Sequence, residues 1–144
     1  MITKIRHTGI VVNDLDKAIK FYSDVLGFKV EKTMEERGPF IEKILGLKNV
    51  EVTTIKMSAA DGSLIELLFF KTHKTEVEKS DRKIFDLGIS HIALTVDNLE
   101  SDYKRIKLAG VDFFCAPEIN LEGTAKVVFC KDPWGNILEL VESI

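Results

Sequence analysis

Four side chains recur in a pattern suited to holding a metal ion: His7, Glu66, His91 and Glu139. The histidines stand 84 positions apart (91 minus 7) and the glutamates 73 apart (139 minus 66), each pair inside a repeated phrase. Ile5-Arg6-His7-Thr8-Gly9-Ile10-Val11-Val12-Asn13-Asp14-Leu15 is echoed by Ile89-Ser90-His91-Ile92-Ala93-Leu94-Thr95-Val96-Asp97-Asn98-Leu99. In the same way Gly62-Ser63-Leu64-Ile65-Glu66-Leu67 returns as Gly135-Asn136-Ile137-Leu138-Glu139-Leu140. Each residue taken singly has a bland explanation, a hydrogen-bonded structural histidine or a glutamate on a wet strand edge. Repetition shifts the balance, because a carboxylate among leucines and isoleucines is rarely buried unless a positive charge compensates it. Two neutral imidazoles and two carboxylates form a borderline-hard donor set suited to nickel, cobalt, manganese, iron or zinc, with positions left for solvent or substrate oxygens.

The elements that carry these residues read as the same series twice. Residues 5–12 are apolar and β-branched, and Asn13 or Asp14 caps a helix in which Leu15, Ala18, Ile19, Tyr22, Val25 and Leu26 recur at helical spacing before Gly27 stops it. A strand from Phe28 to about Met34 follows, then a hairpin of 50–59 and 63–70 across Ala60-Asp61-Gly62. The second copy has a strand to Val96, a helix over 98–109 ended by Gly110, a strand over Val111–Cys115 ended by Pro117, and strands 124–130 and 137–142. Both copies are thus β-α-β-β-β, and alternation along strands allows histidine and glutamate to share one face. Only the first copy has an insertion, Glu35 to Asn49, whose Phe40, Ile41, Ile44 and Leu45 predict a short helix or lid over the open side of the sheet.

With 144 residues, 45% of them hydrophobic, the chain suits one globular domain or two small halves sharing a core. The boundaries expected are a first module at about 1–70, a polar linker at 71–88 and a second module at about 89–144, all within a single domain 1–144. Twenty basic and 23 acidic residues are well mixed, so the net charge of −3 gives no reason to expect nucleic acid or an anionic membrane as partner. A small molecule is the expected partner. Neither a signal-peptide core nor a membrane-length apolar run is present, and a cytoplasmic location is expected. Cys115 and Cys130 lack zinc-ligand spacing and are expected to serve packing alone.

The pieces His7 with Val12-Asn13-Asp14-Leu15, Ala18-Ile19-Lys20-Phe21-Tyr22 leading to Leu26-Gly27-Phe28, His91-Ile92-Ala93, and Asp132-Pro133-Trp134-Gly135-Asn136-Ile137-Leu138-Glu139-Leu140 together resemble the vicinal oxygen chelate superfamily. That group includes glyoxalase I, bleomycin-resistance proteins and extradiol dioxygenases. The resemblance spans nearly the whole chain and implies an α+β fold in which two tandem βαβββ modules form a curved mixed sheet around a metal cleft. It also implies one divalent metal ion as cofactor, held by His7, Glu66, His91 and Glu139. Dioxygenases and fosfomycin-resistance enzymes of the group resemble one another in using two histidines and one glutamate, whereas Glu66 adds a carboxylate here. The four-residue set is similar to that of bacterial glyoxalase I, and methylmalonyl-CoA epimerase is close, with an amide where Glu66 stands. The Glu35 to Asn49 insertion and the Asn13-Asp14 and Leu121-Glu122-Gly123 surroundings depart from the glutathione-contacting pattern of glyoxalase I.

The function expected on this basis is that of a metal-dependent isomerase or lyase of the glyoxalase or epimerase type. It would chelate vicinal substrate oxygens, stabilise an enediolate, and use Glu66 or Glu139 as the base. Two rivals are a metal-poor module that sequesters a small molecule such as an antibiotic, and an iron-dependent dioxygenase. The expected assembly is a homodimer. The 25 residues from Glu66 to His91 (91 minus 66) include a run at 71–88 that could span on the order of 60 Å, ample for four ligands of one chain to meet.

Overall fold

The computed structural model describes residues 1–74 and 81–144. Its residues form two compact units, Met1–Glu78 and Lys79–Ile144, each built around a four-stranded mixed sheet. The central part of the expected linker, 75–80, lies outside the described residues. Among the described residues, no helix is long and apolar enough to cross a membrane.

In the first unit, β1 (Thr8–Val12) runs parallel to β4 (Leu64–Phe70), which pairs antiparallel with β3 (Glu51–Ser58), itself antiparallel to β2 (Lys29–Arg37). The sheet order is β1-β4-β3-β2. Between β3 and β4, Gly62 takes φ 84°, a left-handed conformation that favours glycine, and the Asp61 carboxylate accepts from the Ser63 backbone N–H at 2.9 Å. Asp14, rather than Asn13, caps α1 (Leu15–Ile19), its carboxylate accepting from Lys17 N–H at 3.0 Å. The helix expected to run unbroken to Leu26 changes after Ile19 into a π-helical turn, Lys20–Val25, closed by the Leu26 N–H donating five residues back to Phe21 O at 3.0 Å. That wider turn lets two consecutive aromatics, Phe21 and Tyr22, both be buried, with ring centroids 5.0 Å apart.

The insertion forms a helix, α2 (Pro39–Leu45), with Pro39 in its first turn and Gly46 left-handed at φ 68° after it. Ile41 packs with Val50 and Val52 against Leu47, Leu68 and Phe70. In the register Val52↔Phe70, Thr54↔Leu68, Lys56↔Glu66, these strand residues share the face of Glu66. The insertion therefore lies against the glutamate-bearing face, as its apolar content predicts. Only Ile41 of the four expected contact residues is buried, however, while Phe40 is 72% and Ile44 59% exposed.

The second unit repeats the sheet order, with its first strand beside its last and the two intervening strands following outward. β5 (Ile92–Thr95) lies parallel to β8 (Ile137–Ser143), and β8 is antiparallel to β7 (Ala125–Lys131). Helix α3 (Leu99–Leu108) is capped by Asn98 and tied to β8 by the Glu142 carboxylate, which accepts from Leu99 N–H at 2.9 Å. The strand expected over Val111–Cys115 is instead one bridge, Phe113↔Cys130. The edge strand β6 (Glu118–Ile119) comes after Pro117, not before it. A residue without an N–H fits just outside a short edge strand, whereas it would interrupt a longer one.

The two cysteines also part company. Cys130 is fully buried on β7, and burial first, with the nearby Asp132 charge second, pushes its thiol up to about 12. Cys115 is exposed and lies outside any strand, contrary to the expectation that both pack in apolar strands. At pH 8 the thiolate population of Cys130 is about a thousandfold below that of an ordinary thiol. Native protein treated with iodoacetamide should therefore take one label, at Cys115, and a second only on unfolding, which peptide mass mapping will read. Labelling of Cys130 in the native state would contradict its burial.

Candidate metal-binding site

Each unit brings one histidine to one glutamate. His7 immediately precedes β1, and the parallel register Gly9↔Glu66 places its imidazole on the face where Glu66 projects. His7 Nε2 stands 3.5 Å from Glu66 Oε1. Gly9 suits this position because a Cβ there would come within 3.2 Å of the Leu68 side chain. In the second unit His91 likewise precedes β5, Ala93 pairs with Glu139, and His91 Nε2 lies 3.1 Å from Glu139 Oε2. All four side chains are partly buried, the glutamates at 13% and 21% exposure.

Donor spacing is a test of whether such pairs suit an ion. Two atoms each about 2.1 Å from one metal stand about 3.0 Å apart at a right angle and about 3.4 Å apart at the tetrahedral angle. The observed 3.1 and 3.5 Å fall at that spacing, so each pair can present a nitrogen and an oxygen to one ion. Among the described residues, neither pair is joined by a third His, Cys, Asp or Glu side chain of its own unit.

The pairs differ in their neighbours. Directly across from Glu66 in the β3–β4 register is Lys56, whose Nζ lies 3.9 Å from Glu66 Oε2, so this carboxylate sits between an imidazole and an ammonium. Directly across from Glu139 is Phe129, packed edge-on to the His91 ring with centroids 5.3 Å apart and stacked on Phe114 at 6.2 Å. One carboxylate is thus flanked by charge and the other by aromatic surface. The sequence held a signal for both neighbours: Lys56 and Phe129 each stand ten positions before the glutamate (66 minus 56, 139 minus 129), a spacing that antiparallel hairpins of equal length convert into adjacency.

The imidazoles differ too. His91 Nδ1 lies 3.0 Å from Ser90 Oγ, and that hydroxyl is 3.0 Å from Ile84 O. Nδ1 of His7 is buried and, among the described residues, meets no hydrogen-bond partner.

The turn before β8 sets Glu139 in place. Asp132 is buried, its Oδ1 accepting from Trp134 N–H at 2.9 Å and Asn136 N–H at 2.7 Å while Oδ2 accepts from the Asn136 side-chain amide at 2.8 Å. Asn136 O in turn accepts from Asp132 N–H at 2.9 Å, closing the loop over Pro133 and Trp134.

Comparison with known proteins agrees with this architecture. A family model described as Glyoxalase/Bleomycin resistance protein/Dioxygenase superfamily matches residues 4–140. A Vibrio parahaemolyticus protein named "Probable lactoylglutathione lyase" is 33% identical over 145 residues, covering 97% of this chain and 91% of that protein. One from Haemophilus influenzae named "Lactoylglutathione lyase" is 30% identical over 141 residues, covering 97% and 93%. The crystal structure of a glyoxalase family protein from Bacillus cereus superposes with a TM-score of 0.89 at 24% identity, covering 100% of this chain and 96% of that one. That last likeness concerns the fold.

Proposed function

Because the chain belongs to the Glyoxalase/Bleomycin resistance protein/Dioxygenase superfamily, we propose that His7, Glu66, His91 and Glu139 hold one divalent ion and that the protein is a metal-dependent lyase or isomerase. The observation that carries this reading is the duplicated histidine–glutamate pair, each at donor spacing and each at the same strand register. Relatives named lactoylglutathione lyase at about 30% identity support the reaction class. We take the two modules to work as a single functional domain, with all four residues drawn from one chain.

The chemistry follows from the substrate those names suggest. A lactoyl thioester carries oxygens on adjacent carbons, a hydroxyl and a thioester carbonyl. Moving the proton of the hydroxyl-bearing carbon to the neighbouring carbon, with the matching exchange of a proton between the oxygens, gives the hemithioacetal of a 2-oxoaldehyde. Atoms and electrons balance without an oxidant. A bound divalent ion supplies Lewis-acid stabilisation of the negative charge that develops on the paired oxygens. Glu66 or Glu139 takes the carbon-bound proton and returns it to the adjacent carbon. Phe129, stacked on Phe114, stands directly across from Glu139 in the strand register, and apolar surface beside a carboxylate strengthens its charged interactions. The carboxylate at Glu66, where an epimerase has an amide, favours this reaction over CoA-ester epimerisation.

Metal analysis and a thiol screen test the reading together. Protein stripped with chelator and reloaded with nickel, manganese or zinc should hold close to one equivalent, and the loaded protein should isomerise methylglyoxal hemithioacetals. Comparing glutathione with shorter thiols will define the thiol. Less than about a tenth of an equivalent with every metal would overturn the metal site and favour the sequestering module, since a four-ligand site retains its ion.

A further inference from the structure

The hydroxyl of Ser90 has one proton to give, and the geometry decides where it goes. Ile84 O, 3.0 Å away, is a carbonyl and can only accept, so the Ser90 proton is directed there. Ser90 Oγ is then the acceptor for His91 Nδ1 at 3.0 Å, which makes Nδ1 the protonated nitrogen. On a neutral ring this leaves a lone pair on Nε2, aimed at Glu139 Oε2 only 3.1 Å off. Two lone pairs at that separation repel unless a positive charge lies between them. A proton on Nε2 or a metal ion bound by both atoms provides it, and only the metal leaves the ring neutral.

We propose that Ser90 is a positioning residue that locks His91 in the Nδ1–H tautomer and so preorganises Nε2 as a metal ligand, with the 81–88 loop as its anchor. The proposal rests on the metal reading above. Its reach into the loop is visible in how Ile84 is held. Lys83 N–H donates to the Asp86 carboxylate at 2.7 Å, Asp86 N–H returns to Lys83 O at 3.1 Å, and the Arg82 guanidinium donates to Leu87 O at 2.8 Å. Lys131 on β7 reaches Arg82 O at 3.4 Å, tying the loop to the sheet that carries Glu139. These bonds from charged residues brace the loop segment that presents the Ile84 carbonyl. Phe129 packs against the imidazole in a T-shaped arrangement with ring centroids 5.3 Å apart.

Among the described residues, the first unit shows no such device. With Nδ1 of His7 buried and without a partner among the described residues, coordination through Nε2 would place an unsatisfied N–H in the interior. His91 is therefore the prearranged nitrogen, and His7 is the one that binding itself must orient. Outer hydrogen bonds of this kind commonly change metal affinity about 10- to 100-fold.

The test uses the full chain and zinc as probe. Zinc affinity is measured by chelator competition for the wild type, Ser90→Ala and Ser90→Thr, and the imidazole N–H groups of His91 are assigned by nitrogen-15 NMR in the zinc-loaded state. The expected result is a 10- to 100-fold weaker affinity for Ser90→Ala, near-complete recovery in Ser90→Thr, and a slowly exchanging Nδ1–H on His91 in the wild type and Ser90→Thr that exchanges rapidly in Ser90→Ala. Equal affinity in Ser90→Ala, or coordination of zinc through Nδ1, overturns the role of Ser90 while leaving the metal site standing. A wild-type protein that takes up no zinc overturns the metal reading itself, and the role of Ser90 falls with it.

Discussion

Glu139→Gln should abolish turnover while the protein stays folded. The substitution removes one negative oxygen donor, and a proton acceptor if Glu139 is the base, without altering side-chain volume. Loss of a positioned general base costs about 10²- to 10⁴-fold, and loss of a charged ligand lowers metal affinity in addition. Glu139 is partly exposed at 21% and has His91 Nε2 as its close neighbour, so the fold depends on it little, and stability should change by less than about 1 kcal/mol. Circular dichroism and thermal melting will show the intact fold, and initial rates with metal-loaded protein will show the loss. Wild-type rates in this variant would mean that Glu139 is only a strand residue facing water. Glu66→Gln is the informative companion, because it leaves the Lys56 ammonium, 3.9 Å from the carboxylate in the parent, facing a neutral amide. Comparing rate and affinity losses in the two variants will separate the proton acceptor from the fixed ligand.

Asp132→Ala should lower stability by about 2–4 kcal/mol, the largest loss expected from any single polar truncation in the second unit. Three donors, Trp134 N–H, Asn136 N–H and the Asn136 amide, lose their acceptor in a place that water reaches poorly, since Asp132 is 1% exposed. For a chain of this length that corresponds to a fall in melting temperature of roughly 10 °C. Asp132→Asn keeps one oxygen able to accept from both backbone groups and should cost about half as much. Because the same turn leads into Ile137-Leu138-Glu139, zinc affinity should fall along with stability in Asp132→Ala. An unchanged melting temperature would show that the turn is held by its backbone bonds alone.

Much of this architecture is written in local pattern. The doubled phrase, the helix caps at Asp14 and Asn98, the Asp61-Gly62 turn and the alternation that puts Glu66 and Glu139 on histidine-bearing faces are consequences of residue type and short spacing, and each is found in the structure. Periodicity also marked the insertion as an apolar-faced helix, and α2 lies where that implies. What stayed hidden depends on atoms distant in the chain or on the direction of individual side chains. Pro117 lies outside a strand because of where β7 offers an edge, and the π-helical turn at 20–25 answers the need to bury Phe21 and Tyr22 side by side. The ten-residue spacing of Lys56 and Phe129 from their glutamates is legible in the chain, but only the cross-strand register turns it into contact. Ser90 is the sharpest case. Its neighbour His91 is adjacent in sequence, yet the tautomer proposed to free Nε2 for a metal depends on a carbonyl six residues earlier, because one hydroxyl proton can go to only one acceptor.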